Sequence, residues 1–138
     1  MISAISALNW FSVLLAFVVY FLLAVVWYTV LFKKQYTISL GKENEPPQSL
    51  TPIFIVGPAI CTLIVTVTSA ILMKALNVES YQDALVFAMI IGFGYLVANT
   101  VDIAINPNIP RPLLYGVISG SYHLVGILMV SMILVLIR

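Results

Sequence analysis

The chain is 138 residues long, 62% hydrophobic and 8% charged, with six Lys and Arg against five Asp and Glu. Soluble domains are about a quarter charged, so this composition excludes a water-soluble fold, and the near-neutral balance excludes a basic surface for nucleic acid. Cys61 is the single cysteine and lies inside an apolar run, so no disulfide framework exists.

Residues 1–8 are short and uncharged; Asn9 and Trp10 then open an apolar run to Phe32. It exceeds the roughly 20 residues that cross a bilayer, and it lacks the basic flank of a signal peptide, so it is expected to be mature structure. Trp10 at one end and Trp27, Tyr28 and Phe32 at the other stand where amphipathic rings prefer the interface. Asn9, Ala16, Tyr20, Ala24 and Trp27 make its inward stripe. Residues 33–49 are the one sizeable polar segment. Gly41-Lys42 lacks the second glycine and following hydroxyl of a phosphate loop, so the segment reads as a solvated connection closed by Pro46-Pro47.

The second span covers about 51–77, with Thr51-Pro52 as its capped start and Pro58 inside it. Thr62, Thr66, Ser69 and Met73 form its polar stripe, and hydroxyls there can bond back to their own helix. Lys74 near its end can snorkel to the surface. The third span, about 81–105, starts after Ser80. Gly92, Tyr95, Asn99, Asp102 and Asn106 alternate steps of three and four, so they share one stripe of a regular helix. The prolines of residues 106–112 stop any helix. The fourth span, about 112–137, carries a G-x-x-x-G pair at Gly116 and Gly120, then Ser119, Tyr122 and His123, and ends on Arg138 as an anchor.

These elements predict one transmembrane domain over residues 1–138: an all-α, integral-membrane, antiparallel four-helix bundle. Lys33, Lys34, Lys42 and Arg111 fall on one face, and Lys74 and Arg138 on the other. Four against two places both termini outside and the long loop in the cytoplasm.

Counting depth from each span's midpoint puts Tyr20, Thr62, Thr66, Tyr95, Tyr122 and His123 near the membrane centre. Trp27, Pro58, Asn99 and Ser119 form a layer on the order of 9 Å nearer the cytoplasm, and Asp102 and Tyr115 lie close to the hydrocarbon edge. Pairing the last two spans about their turn sets Asp102 opposite Tyr115, Asn99 opposite Ser119, and Tyr95 opposite Tyr122 and His123. Asp102 and His123 are then about 11 Å apart along the axis, too far for an acid–base dyad. The expectation is a buried polar ladder of Trp27, Tyr28, Tyr95, Asn99, Asp102, Ser119, Tyr122 and His123, with Gly92, Gly116 and Gly120 for helix packing. The competing reading of His123 is neutral interhelical glue, and of Asp102 a carboxylate that water reaches or that pairs with Arg111 across the turn.

Asn9-Trp10, Trp27-Tyr28-Thr29-Val30-Leu31-Phe32 with Lys34, Arg111-Pro112-Leu113 and Gly120-Ser121-Tyr122-His123-Leu124 occur together. This set resembles the bacterial family of small four-span membrane proteins known as domain of unknown function 1761. The likeness covers nearly the whole chain. It departs at the first corner, where Val30, Lys33 and Tyr36 stand in place of the family's usual proline, glycine and aromatic. The resemblance implies a four-helix protein of a bacterial cytoplasmic membrane, lends weight to Trp27, Tyr28, Tyr122 and His123, and implies no activity.

Three functions compete. The ladder suits movement of protons or a small polar solute, for which an oligomer, or a site open from the cytoplasm alone, is expected. The glycine face suits a non-catalytic protein that packs against itself or a partner. Aromatic content near His123 suits quinone or lipid binding. One intramembrane histidine and one marginal carboxylate exclude a single-chain metal site, and no nucleophile motif points to catalysis. No cofactor is expected. The expected partners are the lipid bilayer and further copies of the chain, and the residues specify no small-molecule ligand.

Overall fold

The computed structural model describes residues 2–46, 49 and 51–137; Pro47 and Arg138 lie outside the described residues. The described chain is helical, with four helices long and apolar enough to cross a membrane: Trp10–Leu31, Ile53–Ala75, Tyr81–Ala104 and Pro112–Leu136. A short helix, α1 (Ile2–Ser6), precedes them.

The first span is α2 (Trp10–Val26) running into a π-helical turn, Trp27–Leu31. Asn9 caps α2 by accepting from the backbone N–H groups of Phe11 and Ser12, which meets donors that a helix start leaves open. At its other end Phe32 N–H reaches back five residues to the Trp27 carbonyl at 2.8 Å. A further helix, α3 (Lys33–Ser39), follows where a solvated connection is expected. Its Tyr36 packs on Tyr28 and Tyr115, and Arg111 N–H bonds the Ser39 carbonyl at 3.3 Å. An aromatic anchor and a backbone tie therefore order a segment whose polar composition suggests solvent.

The second span is α4 (Ile53–Ala75), which begins without a side-chain cap from Thr51. The third is composite: α5 (Tyr81–Ile91), capped by Ser80, then a π-helical stretch Gly92–Val97, then α6 (Ala98–Ala104). The fourth is α7 (Pro112–Leu136), with proline in its first turn where no N–H is needed.

The spans run up and down, and α7 is the hub. In its most apolar window 44% of residues are buried, against 22% in each of the other three. The first, second and fourth spans touch one another as a triangle, whereas the third packs chiefly on α7. The core is built from Ala16 and Tyr20 of α2, Met73 of α4, Ala84, Phe87 and Ala88 of α5, and Tyr122, Ile127 and Val130 of α7. Small residues recur at these contacts because apolar helices gain nothing from hiding in oil and associate by close packing. Surfaces left apolar, such as Leu14, Leu22, Ile64, Ile90 and Val117, face outward as lipid-exposed helices require.

Candidate functional site

The polar groups that do meet inside the bundle come from the first and fourth spans. Tyr20 is 1% exposed, and its hydroxyl lies 2.8 Å from His123 Nδ1. Either tautomer of a neutral imidazole closes this bond, with the phenol donating to Nδ1 or accepting from it. The Tyr20 ring fits because position 126 is glycine: a Cβ on Gly126 would collide with ring carbons of Tyr20.

Around this pair the aromatic side chains form a continuous column. Tyr122 is buried, with its ring centroid 5.3 Å from Tyr20, 5.3 Å from Tyr28 and 4.7 Å from His123. Tyr28 continues to Tyr36 at 4.7 Å, and Tyr36 to Tyr115 at 5.7 Å. Trp27 stacks against Phe32 at 4.7 Å and donates its ring N–H to the Ile118 carbonyl at 3.0 Å. Such separations lie within the favourable range for ring pairs. Tyr36, on α3 outside the spans, has its phenol pushed up to about 12, first by burial and then by the neighbouring Tyr115.

The hydroxyls of the second span behave more simply. Thr66 donates to the Thr62 carbonyl at 2.8 Å and Ser69 to the Val65 carbonyl at 2.7 Å, each bonding back to its own helix. Ser119 is buried beside Tyr28.

The expected ladder is only half assembled. Trp27, Tyr28, Ser119, Tyr122 and His123 converge as described, but Tyr95, Asn99 and Asp102 do not join them. Tyr95 is 68% exposed, and Asn99 and Asp102 are also exposed, so this stripe faces outward. The cause is the π-helical stretch. Ala98 N–H bonds the Phe93 carbonyl five residues back, which inserts one residue and turns the helix beyond it by about 100°. The inward face runs Ala84, Phe87, Ala88 and Gly92 before the stretch, and Val97, Val101 and Ala104 after it. A regular helix would have continued that face onto Tyr95, Asn99 and Asp102.

Axial pairing is unaffected: Val97 covers Gly120, Val101 covers Gly116, and Leu124 with Ile127 covers Gly92. The glycine pair is thus filled by the chain's own third span. Asp102 does not pair with Arg111, whose guanidinium instead lies 3.3 Å from Glu43, on the surface. Two features of the central contact are not in the sequence reading, the role of Gly126 and the bond made by Tyr20. Gly126, three residues beyond His123, was the available signal for one. Tyr20 stood in the inward stripe without being assigned a bond.

Two cavities lie away from the Tyr20–His123 pair. One, of about 120 Å³, is at the end of the bundle lined by Asn9, Ser12, Lys74 and Asn77. The other, of about 230 Å³ and almost wholly apolar, is a groove along Val97, Val101, Gly116 and Gly120. Among the described residues no group of three or more His, Cys, Asp or Glu could hold a metal.

No curated protein and no solved structure matches the chain. The family described as "Protein of unknown function (DUF1761)" matches residues 11–135, nearly the whole of this four-helix membrane protein, and the chain belongs to that family.

Proposed function

We propose that the protein is a non-catalytic assembly component of the membrane, a bundle whose interior polar groups hold its own spans together. The observation that carries this reading is the Tyr20–His123 hydrogen bond at 2.8 Å, which engages the single histidine with a neighbouring span. The Trp27 bond to Ile118, again between the first and fourth spans, supports it in the same way, while Thr66 and Ser69 spend their hydroxyls on their own helix. In a bilayer such bonds are interhelical glue. The bilayer proposed is a bacterial cytoplasmic membrane, with both termini outside on the strength of the Lys and Arg distribution. A reporter fused after Arg138 that is active solely in the cytoplasm would reverse that orientation.

One observation favours a second reading, proton handling. His123 is half-buried near the middle of its span, and only its Nδ1 is engaged among the described residues. Intramembrane histidines commonly serve proton relays. Proteoliposomes carrying an imposed pH gradient separate the two. The assembly reading expects the gradient to decay as in empty vesicles, for wild type and His123→Ala alike. Faster decay that His123→Ala abolishes would overturn it in favour of proton transfer.

A further inference from the structure

The outward stripe of the third span carries hydrogen-bonding groups into the hydrocarbon. From the middle of Tyr81–Ala104, Tyr95 lies about 4 Å along the axis, Asn99 about 10 Å and Asp102 about 14 Å. The hydrocarbon half-thickness is about 15 Å, so Tyr95 and Asn99 sit inside it and Asp102 at its edge. Neither Tyr95 nor Asn99 makes a side-chain hydrogen bond among the described residues. A carboxamide facing acyl chains without a partner is costly.

The same face is also smooth enough for close approach. A Cβ at Gly94 would meet nothing within 4 Å, and Ala98, one turn on, is exposed. Small residues at this spacing let two membrane helices come together, with a polar side chain beside them as the bond between them. The fold leaves this side open, because the third span packs chiefly on α7 and, among the described residues, its opposite flank touches no other span closely.

We infer that the Tyr95, Asn99 and Asp102 face of the third span docks against the same face of a second copy, forming a dimer about an axis along the membrane normal. Two copies inserted the same way carry Asn99 at equal depth. A carboxamide both donates and accepts, so Asn99 complements its own image, which a lysine or a carboxylate there would not. Tyr95, Asn99 and Asp102 follow one another by four and three, the repeat of a two-helix seam. The two Asp102 carboxylates fall where water reaches the helix ends. This inference rests on the assembly reading and names its partner.

The test uses the full chain in phosphatidylcholine vesicles. In a Cys61→Ser background, Ala98→Cys is expected to cross-link to dimer under mild oxidation, while Ile55→Cys, exposed on the second span, is not. Energy transfer between labelled copies is expected to show association weakened on the order of tenfold by Asn99→Leu and largely kept by Asn99→Gln. Ala98→Phe, which blocks approach without touching the carboxamide, is expected to weaken association too. Monomers at every protein density, association unchanged in both Asn99→Leu and Ala98→Phe, or a dimer formed only with a different protein would overturn the inference. Proton flux through His123 would sink the assembly reading and leave the dimer standing, so the two failures are distinguishable.

Discussion

Tyr20 acts twice at one depth: its hydroxyl bonds His123 and its ring occupies the space that Gly126 leaves on α7. The two roles are separable. Tyr20→Phe keeps the ring and removes the bond, and should lower stability by about 0.6–1.7 kcal/mol, the range of interhelical hydrogen bonds in bilayers. Gly126→Ala keeps both hydrogen-bonding groups but forces the ring aside, and should lower stability by about 1–3 kcal/mol, as overpacking does. Gly94→Ala is the matched control, because a methyl there meets open space; in the monomer it should be neutral or slightly stabilising. Reversible unfolding in mixed micelles measures all three, and equal losses at positions 94 and 126 would refute the packing argument. Tyr36 offers a titration. Its phenol moves from the ordinary 10.0 to about 12, so its contribution to stability is complete below pH 10 and is lost as pH rises toward 12. Tyr36→Phe should remove that loss, and the difference absorbance of the two proteins should show phenolate appearing near pH 12.

At the scale of the element, the π-helical stretch decides which face of the third span is inside. Deleting Gly94 should remove the inserted residue and restore a regular helix that keeps Val97 and Val101 over Gly120 and Gly116, with Asn99 and Asp102 still outward. The deletion should therefore fold, whereas Val101→Asp, which buries a carboxylate against Gly116 without a partner, should fail to fold or lose several kcal/mol, on the scale of unpaired buried charge. Reversible unfolding in mixed micelles reads both variants, and loss of the fold on deleting Gly94 would refute this phase. The same stretch explains what could be read from the amino acids and what could not. Apolar run lengths and the prolines before α7 set the depth of each residue, so the third and fourth spans meet at the expected levels. Rotation about the axis depends on one inserted residue within Gly92–Val97, and nothing in that apolar composition announces it. The α3 helix was hidden for a different reason: its order comes from Tyr36 meeting Tyr28 and Tyr115, residues distant in the chain.

The whole molecule is a triangle of spans with a fourth attached, and this asymmetry has a consequence for how it comes apart. Ala16, inside the triangle on α2, and Ala88, on the inner face of α5, are both 0% exposed. Ala16 is enclosed by spans that hold one another, whereas Ala88 depends on the contact of the third span with α7. Detaching the third span opens one interface, with α7, whereas removing a span of the triangle opens two, so the third span should detach before the triangle unfolds. Cysteines placed at these two positions in a Cys61→Ser background report the order through maleimide labelling in micelles of rising denaturing strength. Ala88→Cys should label first, with Ala16→Cys following only at global unfolding. A dimer formed through the outward face would clamp the third span between its own α7 and the second copy. Labelling at position 88 should therefore slow as copies associate and return to the monomer rate with Asn99→Leu, while position 16 stays indifferent to both. Simultaneous labelling of the two positions would mean that all four spans unfold as one unit.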